Sequence, residues 1–125
     1  MIGKIYKTLA PFYDTKSKSM SFKHRPALVI AMADSDDVVV LPISSITHRQ
    51  NIHPSYDVQI DPSQYPKLML KKVSYVRTHK QLTIHKKEVS SLIADLRSEY
   101  PDLYLDILIK REAFSQDISQ QAMIS

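Results

Sequence analysis

Few side chains in this sequence are placed to do chemistry. Arg25 stands directly before a proline and an apolar run in "FKHRPALVIA" (Phe22 to Ala31), Ser44 closes "VVVLPIS", and Arg77 and His79 fall together in "YVRTHK". A guanidinium fork matches phosphate oxygens two at a time, a hydroxyl orients a neighbouring group, and an imidazole moves a proton near neutral pH. Those are the parts needed to cut RNA without a metal. Other chemistries have less to work with. The chain has no cysteine, which removes disulfides, thiol nucleophiles and cysteine-ligated zinc. His48 and His53, like His79 and His85, lack any HExxH pattern or carboxylate cluster, so neither a metal nor another cofactor is expected. Ser44 and Ser45 lack the G-x-S-x-G elbow of a hydrolase nucleophile, and one glycine cannot make a phosphate-cradling loop.

Each residue alone also has a plainer reading. Arg25 fits a surface arginine, Ser44 and Ser45 can finish a strand by bonding their own backbone, His79 suits solvent or core, and Tyr75 suits packing. What makes them a group is the assembly that the flanking segments dictate. "ALVIAMA" and "VVVLPIS" read as buried strands and "DSDD" between them as a tight turn. That hairpin brings Arg25 and Ser44 to one edge, where the strand "LKKVSYVRT" adds Arg77 and His79. Along that strand Val73, Tyr75 and Arg77 alternate with Ser74, Val76 and Thr78.

The remaining elements follow from pattern. "IGKIYKT" reads as a first strand, Leu9 to Phe22 as a long polar connector, "YDVQI" as a half-exposed strand and "LTI" as a short one. Val89, Leu92, Ile93 and Leu96 have the spacing of one helix face, and a second helix is expected from Asp102 to about Phe114. The polar 115–125 segment reads as a flexible tail, leaving residues 1–114 as one domain. The expected architecture is mostly β with C-terminal α, a small, strongly bent antiparallel sheet closed by two helices.

Charge adds a direction. The net charge of +4 is uneven. Lys4, Lys7, Lys16, Lys18, Lys23 and Arg25 face only Asp14 in the first segment, and 62–87 carries seven bases and no acid. If these segments meet, the fold presents one positive face suited to a polyanion, though lysines also simply solvate a domain. No apolar run approaches the roughly 18 to 20 residues that span a bilayer, and no signal peptide is evident, so a cytoplasmic location is expected.

"GKIY", "KHRPALVIA", "VVVLPISS" and "YVRTHK" come in the order and spacing of the MazF/PemK family of toxin endoribonucleases, which the chain resembles over about residues 2–97. The resemblance implies an SH3-like (CcdB/MazF-type) barrel, usually a homodimer with single-stranded RNA in a groove at the interface. It puts Arg25 on the family's catalytic arginine, Ser44 on the accompanying threonine or serine, and Arg77 on the basic residue of the "I-R-T" strand. The implied activity is metal-independent cleavage of mRNA, in which the 2′-hydroxyl attacks the adjacent phosphate to leave a cyclic phosphate and a 5′-hydroxyl. An acidic antitoxin is the implied protein partner. His79 is the candidate proton-transfer group, and the RNA contacts expected around it are Lys16, Lys18, Lys23, His24, Ser45, Thr47, Arg49, Tyr75, Arg77 and Lys80. The sequence departs from the family at Lys4, where an acid is common, and at Tyr75, where glutamine is; "RTHK" replaces an acid-containing continuation. The alternatives are a barrel of this fold that binds nucleic acid without cutting, and gyrase poisoning, which needs a C-terminal tryptophan this chain lacks.

Overall fold

The computed structural model describes residues 1–124. Seven strands form one antiparallel sheet: β1 (Ile5–Asp14), β2 (Ser19–Met32), β3 (Asp37–Ser44), β4 (Asp57–Ile60), β5 (Ser74–Arg77), β6 (Leu82–His85) and β7 (Val89–Ala94). Their order is β4-β5-β3-β2-β1-β7, with β6 also on β3. A single-turn helix α1 (Leu96–Glu99) and a long helix α2 (Pro101–Ile124) complete the chain. This is the expected bent sheet closed by C-terminal helices.

The apolar residues of β2 and β3 bury its centre on both faces. On one face Leu28, Leu41 and Ile43 join Ile5, Ile60, Val76 and the helical Leu96, Leu103 and Ile107 in the larger core. On the other, Ala27, Val29, Val38, Val40 and Ile84 make a smaller one. Each such side chain contributes about 1.5–3 kcal/mol by leaving water. Arg25 and Ser44 therefore extend from strands held on both faces.

The other edge of β3 changes partner along its length. Val40 pairs with Leu82 of β6, whereas Ile43 and Ser44 pair with Val76 and Tyr75 of β5. Pro42, which has no N–H to give a ladder, lies at the change. The chain between β5 and β6 turns there, with the Lys80 N–H bonded to the Arg77 carbonyl at 3.1 Å. Thr78, fully buried, ties this turn to the Tyr56 carbonyl at 2.6 Å.

Three expectations are corrected. Leu9 to Phe22 is not a connector: β1 and β2 stay paired from Ile5↔Leu28 to Asp14↔Ser19, leaving only Thr15–Lys18 as the turn. Burial gave no signal because Tyr13, Met20 and Phe22 are all exposed there. Val89–Ala94 is a strand on the edge of β1, not a helix. Its apolar spacing has the helical period, but pairing with β1 overrides it, and Leu92 proves exposed. Helix α1 begins only after it, capped by the Asp95 carboxylate, which accepts from the Ser98 N–H at 3.2 Å. Finally, α2 starts at Pro101 and runs 24 residues, about 36 Å, so 115–124 is helix. Ser125 lies outside the described residues.

Candidate active site

Register builds the site. Ala27 pairs with Pro42, and carrying that antiparallel register two residues further sets Arg25 opposite Ser44 on the same face. Arg25 Nη1 donates to Ser44 Oγ at 3.1 Å. The strand beneath is tied to β1, where Thr8 Oγ1 donates to the Arg25 carbonyl at 3.0 Å. Among the described residues no carboxylate pairs with Arg25. Burial, and then the charge of Arg77, lower its pKa from the usual guanidinium range, leaving it a protonated cation with unspent donors.

Arg77 is spent otherwise. Asp57 lies opposite it across the β4/β5 pair, with its side chain fully buried. Arg77 Nε donates to Asp57 Oδ1 at 3.1 Å and Nη2 to Oδ2 at 3.4 Å. Nη2 also reaches the Asn51 carbonyl at 3.2 Å, and the His53 N–H gives Asp57 Oδ2 a 2.7 Å bond. His79 Nδ1 stands 3.7 Å from Asp57 Oδ1, too far for a hydrogen bond, and is buried without a partner. Its ring packs against His53 (centroids 4.8 Å apart), Tyr56 (6.2 Å) and Phe114 of α2 (6.0 Å). Burial is the main reason its pKa falls below the usual 6.5, partly opposed by Asp57 and reinforced by Arg77, His53 and Lys80. The surroundings thus favour the neutral imidazole.

These side chains border open depressions. One, of about 420 Å³, is lined by Phe12, Arg25, Pro42, Ser44, Arg77, His79, Lys80 and Gln81 among others. A second, of about 390 Å³, shares Arg25, Ser44, Arg77 and Lys80 and adds Ser45, Thr47, His48 and Asn51. A third, of about 260 Å³, takes in Lys23, His24 and Ser45 beside Arg25 and Ser44. Arg25 and Ser44 are common to all three, and the first two, which also share Arg77 and Lys80, form a solvent-open, cationic groove around them.

Of the residues expected from sequence, Arg25, Ser44, Arg77, His79, Lys80, Ser45 and Thr47 border the first two depressions, while Lys23 and His24 border the third, His24 alternating to the sheet face opposite Arg25. Four stand apart from these depressions. Lys16 and Lys18 sit at the tip of the β1/β2 hairpin, Lys18 with φ of 54°, and Arg49 begins an exposed helical turn. Tyr75 pairs with Ser44 by register, half-buried. Asp57, Phe12 and Gln81 were missed. One signal pointed to Asp57: Arg77 comes from a segment with no acid, so any buried partner had to lie in a neighbouring strand. Among the described residues no three His, Cys, Asp or Glu side chains come together as a metal site needs.

Residues 3–106 match the family of PemK-like, MazF-like toxins of type II toxin-antitoxin systems, and the chain belongs to that family. Among solved structures, it is similar to an endoribonuclease in complex with its cognate antitoxin from a mycobacterial species. That likeness has TM-score 0.65 and 16% identity, covering 93% of this chain and 94% of the other. It is also similar to the Mycobacterium tuberculosis toxin MazF-mt6, with TM-score 0.54 and 20% identity over 86% and 96% of the two chains. At these identities the likeness shows a shared fold. Comparison with curated protein sequences finds no match. No helix among the described residues is long and apolar enough to cross a membrane.

Proposed function

We propose that this chain is a type II toxin that cuts single-stranded RNA by its own side chains. The observation that carries the reading is the Arg25 guanidinium, free of carboxylates, held by Ser44 in the middle of an open cationic groove. Attack of a ribose 2′-oxygen on the neighbouring phosphorus forms that P–O bond as the P–O5′ bond breaks, and negative charge builds on the phosphate in between. A fixed guanidinium gains most at that stage, and fixing it beforehand removes the cost of reorganisation. Ser44 Oγ accepts from Arg25, so its own hydrogen is available to a non-bridging phosphate oxygen. Neutral His79 serves as the base for the 2′-hydroxyl proton, while O5′ takes its proton from solvent. Products are a cyclic phosphate and a 5′-hydroxyl.

Lys80 and Lys23 extend the positive surface along the groove, and Ser45, Thr47 and His48 offer polar contacts to unstacked bases. An acidic antitoxin segment would fit the same surface, and a homodimer of the kind common in the family would lengthen it. A second reading, RNA binding without cutting, is favoured by one fact: Arg77 is neutralised by Asp57, leaving one free guanidinium at the centre.

The two readings separate in one experiment. Purified protein with chelator present is incubated with single-stranded RNA, and the fragment ends are analysed. Cyclic phosphates with 5′-hydroxyls support the toxin reading, whereas intact RNA that is nevertheless bound supports the second.

A further inference from the structure

Arg77 and the His53 N–H already satisfy Asp57, yet the His79 ring is also pressed to within 3.7 Å of the same carboxylate. Three aromatic neighbours hold it there: His53 and Tyr56 from the loop before β4, and Phe114 from α2. Its buried Nδ1 has no bonded partner, while the ring also contributes to the wall of the depression that contains Arg25 and Ser44. At 3.7 Å, longer than a hydrogen bond, the charge of the carboxylate still disfavours a lone pair on Nδ1 and favours a hydrogen there.

We propose that Asp57 is a positioning residue for His79, selecting the neutral tautomer with hydrogen on Nδ1 so that the Nε2 lone pair is left for a substrate proton. This rests on the nuclease reading for its use but not for its geometry. Asp57 and Arg77 then divide the work. The carboxylate fixes which nitrogen carries the hydrogen, and the neighbouring guanidinium helps keep the ring from taking a second. Charged and titratable groups around the ring are Asp57 on β4, Arg77 on β5, His53 and Tyr56 in the loop, and Lys80 in its own turn. From α2 the ring meets apolar Phe114, and the nearby Arg111 is engaged by Gln81 Oε1 at 2.8 Å.

The test uses the full chain with nitrogen-15-labelled histidine, His79 being assigned by comparison with His79→Gln. Wild type should show the Nδ1–H tautomer near neutral pH, titrating below 6.5. A dominant Nε2–H tautomer overturns the proposal. In Asp57→Asn, checked for folding by thermal melting, the tautomer ratio should change. Its RNA-cleavage kcat should fall by about 10²-fold with KM little altered. The acid limb of its rate profile should move to lower pH, because the carboxylate no longer favours the protonated ring. Loss of activity with tautomer and pH profile unchanged would make Asp57 merely structural and refute the idea. If that variant does not fold, the wild-type tautomer and His79→Gln decide, and undiminished cleavage by His79→Gln counts against it. If wild type cuts no RNA, the nuclease reading falls while the nitrogen spectrum still judges Asp57.

Discussion

The two arginines on this face have been given opposite fates by one buried acid. Asp57 captures Arg77, so Arg25, which lies on the same face, keeps its charge for a ligand. Removing the Ser44 hydroxyl should slow cleavage by about 10- to 10²-fold, the worth of one hydrogen bond to a charged group. If the hydrogen-bonded Ser44 and Arg25 act as a unit in the proposed reaction, Arg25→Ala with Ser44→Ala should be little worse than Arg25→Ala alone; single-turnover rates on a short RNA check this, and additive losses would separate the two residues. In the proposed mechanism His79 is a base only when neutral, so the rate should rise with pH through a midpoint below 6.5 and then level off, a limb that His79→Gln abolishes. The Arg25 and Ser44 pairing was legible because a hairpin with a tight turn fixes which strand ends meet. The pairings of Asp57 with Arg77 and His79 were not, since they join residues 20 or more apart through a register that only the folded sheet defines.

At the level of elements, legibility followed burial. β2 and β3 stood out because their apolar runs are buried on both faces, whereas the paired far ends of β1 and β2 expose Tyr13, Met20 and Phe22. The end of α2 reads as tail in the sequence because it has no apolar face against the sheet; Gln116, Ser119 and Gln120 are exposed, and local propensity with the bond from Gln121 Nε2 to Asp117 Oδ2 carries the helix there. That contrast predicts unequal costs. Ile107→Ala, at a fully buried position in the larger core, should cost about 2–5 kcal/mol in denaturant unfolding. Deleting residues 115–125 should cost a small fraction of that. Phe114, which packs on Tyr56 and His79, marks where the helix stops supporting the site.

For the whole molecule, the uneven charge seen in sequence becomes a surface: Arg25 from one basic segment meets Arg77 and Lys80 from the other, and Lys23 borders a depression beside Arg25. Single-stranded RNA held this way should bind less tightly as salt rises, with a log–log slope of about −0.7 for each phosphate neutralised. An affinity flat from low to high salt would remove the groove from the account. Folding stability carries a second signature. The folded pKa of His79 is depressed, so the unfolded chain takes up its proton first as pH falls; the contribution is complete above the usual value near 6.5 and is lost as pH falls through the folded value. His79→Gln should therefore flatten the decline in melting temperature as pH falls below 6.5. The central claim is that the Arg25 guanidinium cuts RNA, and cleavage of one single-stranded RNA by wild type and Arg25→Ala, matched for melting temperature, tests it most directly. The account predicts a fall of about 10²- to 10³-fold with folding preserved; equal cleavage by the two proteins would contradict it.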